Sequence, residues 1–293
     1  MQLTITGYST ALFATWYFVD ELGLLFDAGD GLTSALLQKS RKVRHAFISH
    51  ADRDHLTGLF QFNQLNAREG GLPIIYYPKD SGSFPAIAEF ANRFDPHVTQ
   101  VSWHPMAAGD EARIKDDMVV ESIRNGHVEA PVGVTKSLSY KVVQVKRKLR
   151  PEFTGLQGLE IKKLKEEKGE AAVTTEVRTT LLGYSGDTPV EDLQRWNNTE
   201  VLIHEATFLG GAEDARAERP AHKHSTLREV MEMVSTLNIG KLILGHFSVR
   251  YDAGQIDQEI KGLCEKYAIN IPVYRLLPGE TVHDILHQQP LNG

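Results

Sequence analysis

Phe47-Ile48-Ser49-His50-Ala51-Asp52-Arg53-Asp54-His55-Leu56-Thr57-Gly58 is the stretch on which the reading of this chain turns. Before it, Val43–Ile48 reads as a short buried strand. After it, Leu56, Leu59, Phe60 and Phe62 fall on what reads as the buried side of a helix. His50, Asp52, Asp54 and His55 therefore lie on a strand-to-helix turn, four side chains of metal-ligating type within six residues. A polar loop with a helix cap would also favour Asp and Ser. A cap needs one such residue, however, and this turn carries four.

The rest of the chain bounds what such a turn can serve. At 293 residues it could be one large α/β domain or two small ones. No apolar run approaches the roughly eighteen residues of a membrane span, and no basic segment followed by an apolar core opens the sequence. A lone Cys264 leaves no internal disulfide and suits a reducing compartment, so a cytoplasmic protein is expected. Its neighbours Gly262, Leu263 and Glu265 place it in a helix, where packing is the expected role. The net charge of −6 argues against a generally basic nucleic-acid-binding surface but leaves room for a local basic patch.

Outward from the central turn, strands and helices alternate. Leu3–Thr6, Trp16–Val19 and Leu24–Phe26 read as strands, with Gly7–Thr10 as a turn. Phe26-Asp27-Ala28-Gly29-Asp30-Gly31 passes from a strand end into a predicted helix Leu32–Gln38. Strands are expected at Ile74–Tyr77, Val98–Trp103 and Met118–Ile123, and a helix at Ala86–Phe94; His97 and His104 read as ordinary surface or structural histidines. His127 follows a strand in Asn125-Gly126-His127-Val128. Residues 141–170 change character: Lys141, Lys146, Arg147, Lys148 and Arg150 come without an acidic residue among them, and Lys162, Lys163, Lys165 and Lys168 follow in a predicted helix interleaved with glutamates. This is either a solvated surface helix or a basic protrusion that touches phosphates. Further on, Thr179–Tyr184 is a strand running into Gly186-Asp187-Thr188-Pro189, and Glu200–Ile203 a strand ending in His204-Glu205-Ala206-Thr207. Ser225 or Thr226 could cap a helix Leu227–Leu237, Lys241–Gly245 is a strand leading to His246, and Leu263–Asn270 is a helix. The pattern predicts one four-layer αββα domain over residues 1–293, with an inserted arm at about 141–170.

The central turn resembles the HxHxDH signature of the metallo-β-lactamase superfamily, with Asp52 in place of the second His. The later motifs narrow the resemblance. His204-Glu205-Ala206-Thr207, His224-Ser225-Thr226 and His246-Phe247-Ser248-Val249-Arg250-Tyr251, after Gly186-Asp187-Thr188, are similar to those of the tRNA 3′-processing endonucleases of the RNase Z type, over about Leu3–Tyr251. The resemblance implies an αββα metallo-β-lactamase-like fold, phosphodiester hydrolysis by a hydroxide formed at two divalent cations, and often a homodimer. It implies one cation on His50, Asp52, His127 and Asp187, and a second on Asp54, His55, Asp187 and His246, with Asp27 bracing the ligand loop. Asp54 would orient the nucleophile or take its proton, and His224, oriented by Glu205, would protonate the leaving 3′ oxygen. Zn2+ is the expected ion, and a carboxylate at position 52 makes Mn2+ or Fe2+ competitive.

Two departures bear on substrate. Asp52 alters the first ligand set, and residues 141–170 lack the dense Gly-Pro tip with which the family grips the tRNA elbow. Precursor tRNA is the leading substrate. A small phosphodiester or another ester is the alternative, and a non-catalytic RNA-binding protein with a decayed site is a third reading, for which Asp52 is the supporting residue.

Overall fold

Strand periodicity builds two sheets in the computed structural model, which describes residues 1–95, 100–210 and 223–293. The first sheet contains, in spatial order, β1 (Ile5–Thr10), β2 (Ala14–Val19), β3 (Leu24–Phe26), β4 (His45–Phe47), β5 (Ile74–Pro78) and β6 (Ser102–Met106). The second runs β13 (Val273–Arg275), β12 (Ile239–Gly245), β11 (Thr199–Glu205), β10 (Thr174–Tyr184), β9 (Leu138–Leu149), β8 (Met118–Arg124) and β7 (Glu111–Lys115). From β3 to β6 and from β10 to β13 neighbouring strands are parallel. Parallel neighbours need crossovers, and helices make them on the outer faces. These are α1 (Leu32–Leu36), α2 (Arg53–Leu56), α3 (Leu59–Asn66) and α4 (Ser83–Phe94) on one side, and α7 (Leu227–Ser235) and α8 (Ala253–Lys266) on the other.

Alternation along each strand decides which layer a side chain joins. Tyr17 points inward, where Ile5, Phe26 and Phe47 of the first sheet meet Val120, Tyr140, Leu182 and Ile203 of the second. Its neighbours Trp16 and Phe18 point outward and pack with Leu32, Leu59, Phe62 and Phe84 from the first set of helices. Leu202, Leu242 and Leu244 do the same against Val230, Met231, Ile256 and Ile260. The layers are therefore the expected αββα sandwich. Two tyrosines also tie the sheets by hydrogen bonds: Tyr140 Oη donates to Ile48 O at 2.7 Å, and Tyr184 Oη donates to the Asp27 carboxylate.

Several local expectations are corrected. Gly7–Thr10 is not a turn but continues β1, paired with Ala14–Tyr17, because Ser9 and Thr10 are buried there; the turn is Ala11–Phe13. The helix predicted at Leu263–Asn270 runs instead over Ala253–Lys266, started by a reciprocal Asp252–Gln255 capping box and buried along Ile256, Ile260 and Leu263. Cys264 is buried in it. Of the predicted strand Val98–Trp103, Val98 and Thr99 lie outside the described residues, as does His97; among the described ones the strand is Ser102–Met106, with His104 exposed on it. Phe60 is not on the buried side of its helix: it is 43% exposed, edge-on to Phe90, because the chain breaks between α2 and α3 and resets the helical face.

The predicted arm divides into two parts. β8 pairs with β9 only as far as Gln144, so Lys141 lies within the sheet. Beyond that, Val145–Leu149 pairs with Thr174–Arg178 of β10 as a two-stranded ribbon. The ribbon carries α5 (Gly158–Lys168) and α6 (Glu170–Val173) at its tip. No residue of α5 is buried; a Gln157–Glu160 capping box holds its start.

Candidate metal centre

Every candidate side chain but His224, which lies just before α7, sits at or just past the C-terminal end of a strand: Asp27 after β3, His50 to His55 after β4, His127 after β8, Asp187 after β10, Glu205 ending β11 and His246 after β12. Two of them hold unusual backbone. Asp27 has φ +54° and His246 φ +62°, conformations that non-glycine residues keep only where surrounding contacts enforce them. The ligand loop also approaches the Asp27 loop closely. A Cβ on Gly58 would stand 2.2 Å from Gly29 O, so no larger residue fits at that crossing.

Two groups of candidate ligands result, each with its donor atoms within 4.8 Å of one another: His50, His127 and Asp187, and Asp54, His55, Asp187 and His246. Asp187 belongs to both. Its Oδ2 lies 3.7 Å from His50 Nε2, 3.2 Å from His55 Nε2 and 3.3 Å from His246 Nε2. Asp54 Oδ2 faces His246 Nε2 at 3.4 Å and His55 Nε2 at 3.6 Å, and accepts the Leu12 N–H at 3.1 Å. Asp52 stands at the rim with its side chain 61% exposed, its Oδ2 3.3 Å from His127 Nε2 and 3.6 Å from His50 Nε2. It occupies the N-cap position of α2 but makes no capping bond there. A cap therefore does not account for its carboxylate, which turns to the histidines instead.

The ring nitrogens facing away from the cluster have partners. His55 Nδ1 pairs with Asp27 Oδ2 at 2.7 Å, His50 Nδ1 with Ser49 Oγ at 2.9 Å, His127 Nδ1 with Lys223 O at 2.9 Å, and His246 Nδ1 with Thr207 Oγ1 at 2.8 Å. The Nε2 atoms of His50 and His55 are fully buried without a hydrogen-bond partner. Buried polar atoms are normally satisfied. Two orphaned imidazole nitrogens beside a shared carboxylate are what a divalent cation requires, so the donor set fits one.

Charge within the cluster moves protons in the same sense. Burial alone would raise Asp187, but His246, His55 and His50 around it hold its carboxyl well below the usual range. Burial opposes a charge on His55, yet the Asp187 and Asp27 carboxylates raise it well above an ordinary histidine. His50, buried and beside His55, is pushed down and stays neutral. Asp52 is held far below the ordinary carboxylate range by the imidazoles of His127 and His50 beside it.

A third group joins the cluster: Glu205, His224 and His246. Glu205 is pinned by Thr188 N–H on Oε1 at 2.7 Å and by the Thr207 hydroxyl on Oε2 at 2.5 Å. His224 Nδ1 lies 3.1 Å from Oε1, with its side chain 26% exposed. Burial opposes the charged imidazole, but the Glu205 carboxylate wins and pushes His224 up to about 9. The arrangement brings together all the site residues expected from the sequence and leaves Asp52 at the edge. Residues without an assigned role in the sequence complete it: Ser49 and Thr207, Tyr184 on Asp27, and the Lys223 carbonyl on His127. Ser49 and Thr207 lie inside the quoted motifs, so position could have flagged them; Tyr184 carries only a strand pattern.

A family model described as "Beta-lactamase superfamily domain" matches residues 24–247. The chain is 27% identical over 285 residues to "tRNase Z TRZ2, chloroplastic" of Arabidopsis thaliana, covering 91% of this chain and 73% of that protein. Among solved structures it is similar to the metallo-beta-lactamase fold protein YhfI from Bacillus subtilis, with TM-score 0.64 and 14% identity over 96% of this chain and 100% of that one. It is also similar to human tRNase Z, short form, with TM-score 0.57 and 18% identity over 96% of this chain and 99% of that one.

Proposed function

The chain belongs to the beta-lactamase superfamily, and from that membership we propose that it is a metal-dependent phosphodiesterase of the ribonuclease Z type, cutting precursor tRNA at its 3′ end. One observation carries the reading. A Glu205–His224 pair stands at the edge of the carboxylate and histidine cluster, with the imidazole partly open to solvent. Metal-binding clusters serve many hydrolytic reactions on one fold. A protonated imidazole held at the rim of such a cluster suits an alkoxide leaving group. The name of the Arabidopsis relative supports the same substrate.

In this proposal one cation would be held by His50, His127 and Asp187 with Asp52 at the rim, and a second by Asp54, His55, Asp187 and His246. When bound, two divalent cations supply Lewis acidity to phosphate oxygens and make water a stronger nucleophile at neutral pH. Imidazole and carboxylate ligands favour Zn2+, and the harder Asp52 brings Mn2+ and Fe2+ into competition. Asp54, its Oδ2 fixed by the Leu12 N–H, would orient the attacking water and take its proton. Glu205 cannot swing, because Thr188 and Thr207 hold both its oxygens. It therefore keeps His224 Nδ1 protonated and leaves Nε2 to give a proton to the departing 3′ oxygen as the P–O bond breaks. The ribbon and α5, with Lys146, Arg147, Lys148 and Lys162, would lie along the tRNA backbone.

The alternative of a small phosphodiester has one observation in its favour. The arm's cations are partly answered within the arm itself, by Lys165–Glu170 at 3.2 Å and by Lys162–Glu166 and Arg147–Glu170, each at 3.9 Å. Replacing residues 151–173 by a short turn separates the readings. The proposal expects precursor tRNA cleavage to be lost while hydrolysis of a small chromogenic diester persists. Equal tRNA cleavage by the shortened protein would assign the arm no part in substrate binding.

A further inference from the structure

Thr207 and Ser49 each own one hydroxyl proton, and the way that proton is used constrains a neighbouring histidine. A hydroxyl donates one hydrogen bond and accepts up to two, whereas an ionised carboxylate only accepts. Thr207 Oγ1 lies 2.5 Å from Glu205 Oε2 and 2.8 Å from His246 Nδ1. Both oxygens of Glu205 act as acceptors, Oε1 toward the Thr188 N–H at 2.7 Å and Oε2 toward the Thr207 N–H at 3.2 Å. The threonine proton therefore goes to Glu205. His246 must then supply the hydrogen in its own bond, which puts a proton on Nδ1. That leaves Nε2, which bonds Asp54 Oδ2 at 3.4 Å and lies 3.3 Å from Asp187 Oδ2, as the nitrogen from which a cation would displace the hydrogen. The same logic holds across the cluster. Ser49 Oγ donates to Asp27 Oδ2 at 2.8 Å, so His50 Nδ1 donates to Ser49 at 2.9 Å, and the buried Nε2 of His50 is left as an acceptor.

We infer that Thr207 and Ser49 are positioning residues that set the tautomers of His246 and His50, each preparing one half of the cluster for a cation. The two relays are separate. Ser49 draws on Asp27 and serves the His50, His127 and Asp187 group. Thr207 draws on Glu205 and serves the Asp54, His55, Asp187 and His246 group. Thr207 also lies 3.3 Å from His224 Nδ1, so a single hydroxyl touches the proposed proton donor, its orienting carboxylate and a candidate ligand. This inference rests on the two-cation reading of the site but makes no use of the RNA substrate. Partners that orient a ligating histidine change metal affinity by about 10–100-fold when removed.

The test is stepwise titration of the whole metal-free protein with Zn2+ against a chromophoric competitor, resolving both binding steps. Thermal melting of the metal-free variants verifies that each is folded. Thr207→Val keeps the shape and loses the hydroxyl, and is expected to weaken one binding step about 10–100-fold while the other stays within about threefold. Thr207→Ser restores that step, and Ser49→Ala weakens the other step instead. Both substitutions weakening the same step, unchanged affinities, or a Thr207→Ser variant as weak as Thr207→Val would overturn the inference. Wild-type protein that binds two Zn2+ but leaves RNA uncut would remove the substrate reading and leave this one standing. Wild-type protein that binds no Zn2+ would remove both.

Discussion

Asp187 presents one oxygen to three imidazole edges, and no other side chain among the described residues belongs to both candidate ligand groups. Asp187→Ala should therefore cost both metals at once, which metal analysis of the purified variant reads directly; a variant that retains two metals contradicts the shared role. His224→Ala tests the opposite separation, since His224 lies at the edge of the cluster. Metal content should stay intact while turnover falls by about 10²–10⁴-fold, the usual worth of a positioned general acid. An unchanged rate would take His224 out of the mechanism. Asp27 supports the site from behind, accepting from Ser49 N and Oγ, His55 Nδ1 and Tyr184 Oη. Asp27→Ala would strand these buried donors and should lower unfolding free energy by about 3–5 kcal/mol in denaturant titrations. At this scale the sequence was most informative, because ligands must be of few residue types and these stand in short motifs. The hydroxyls of Ser49 and Thr207 were not legible, because their role lies in which atom receives the single proton, and that appears only with the fold.

At the scale of elements, strands and outer helices were readable wherever periodicity met a buried layer, as in Met118–Arg124 or Leu227–Ser235. The errors fall where local pattern and tertiary context part. Gly7 looked like a turn residue, yet it is paired in β1 and faces Tyr17. Phe60 looked buried from spacing alone, but the break between α2 and α3 shifts the face. The basic stretch was visible, but not its division, since Lys141 to Gln144 pair with β8 while Val145 to Leu149 leave the sheet. That division sets an expectation. The ribbon and α5 bury little, so replacing Arg147, Lys148 and Lys162 together by glutamine should leave the melting temperature nearly unchanged. tRNA binding should weaken and show a shallower dependence on salt, measured by filter binding across ionic strengths. An unaltered salt slope would place the RNA elsewhere.

Across the whole molecule, two sheets place candidate ligands from both halves of the chain at one edge, and two inter-sheet tyrosine bonds fasten that edge. No helix among the described residues is long and apolar enough to cross a membrane. Burial of the sandwich also has a pH signature away from the site. His45 on β4 is pushed down to about 4 by burial and by Arg44, so it is neutral in the fold and titrates normally when unfolded. Between about pH 6.5 and 4 the unfolded chain binds more protons, so this residue's contribution is full above that window and lost as pH falls through it. The stability difference between wild type and His45→Gln should shrink over that range in melts of metal-free protein, and a constant difference would contradict the assignment. The proposed activity is that of a two-metal nuclease for tRNA 3′ ends. Its most direct test is cleavage of a 3′-extended precursor tRNA with metal content determined on the same sample. About two metals per chain and a cut at one position next to the discriminator base are expected. Two metals with the precursor left intact, or no tightly bound metal after reconstitution, would contradict it.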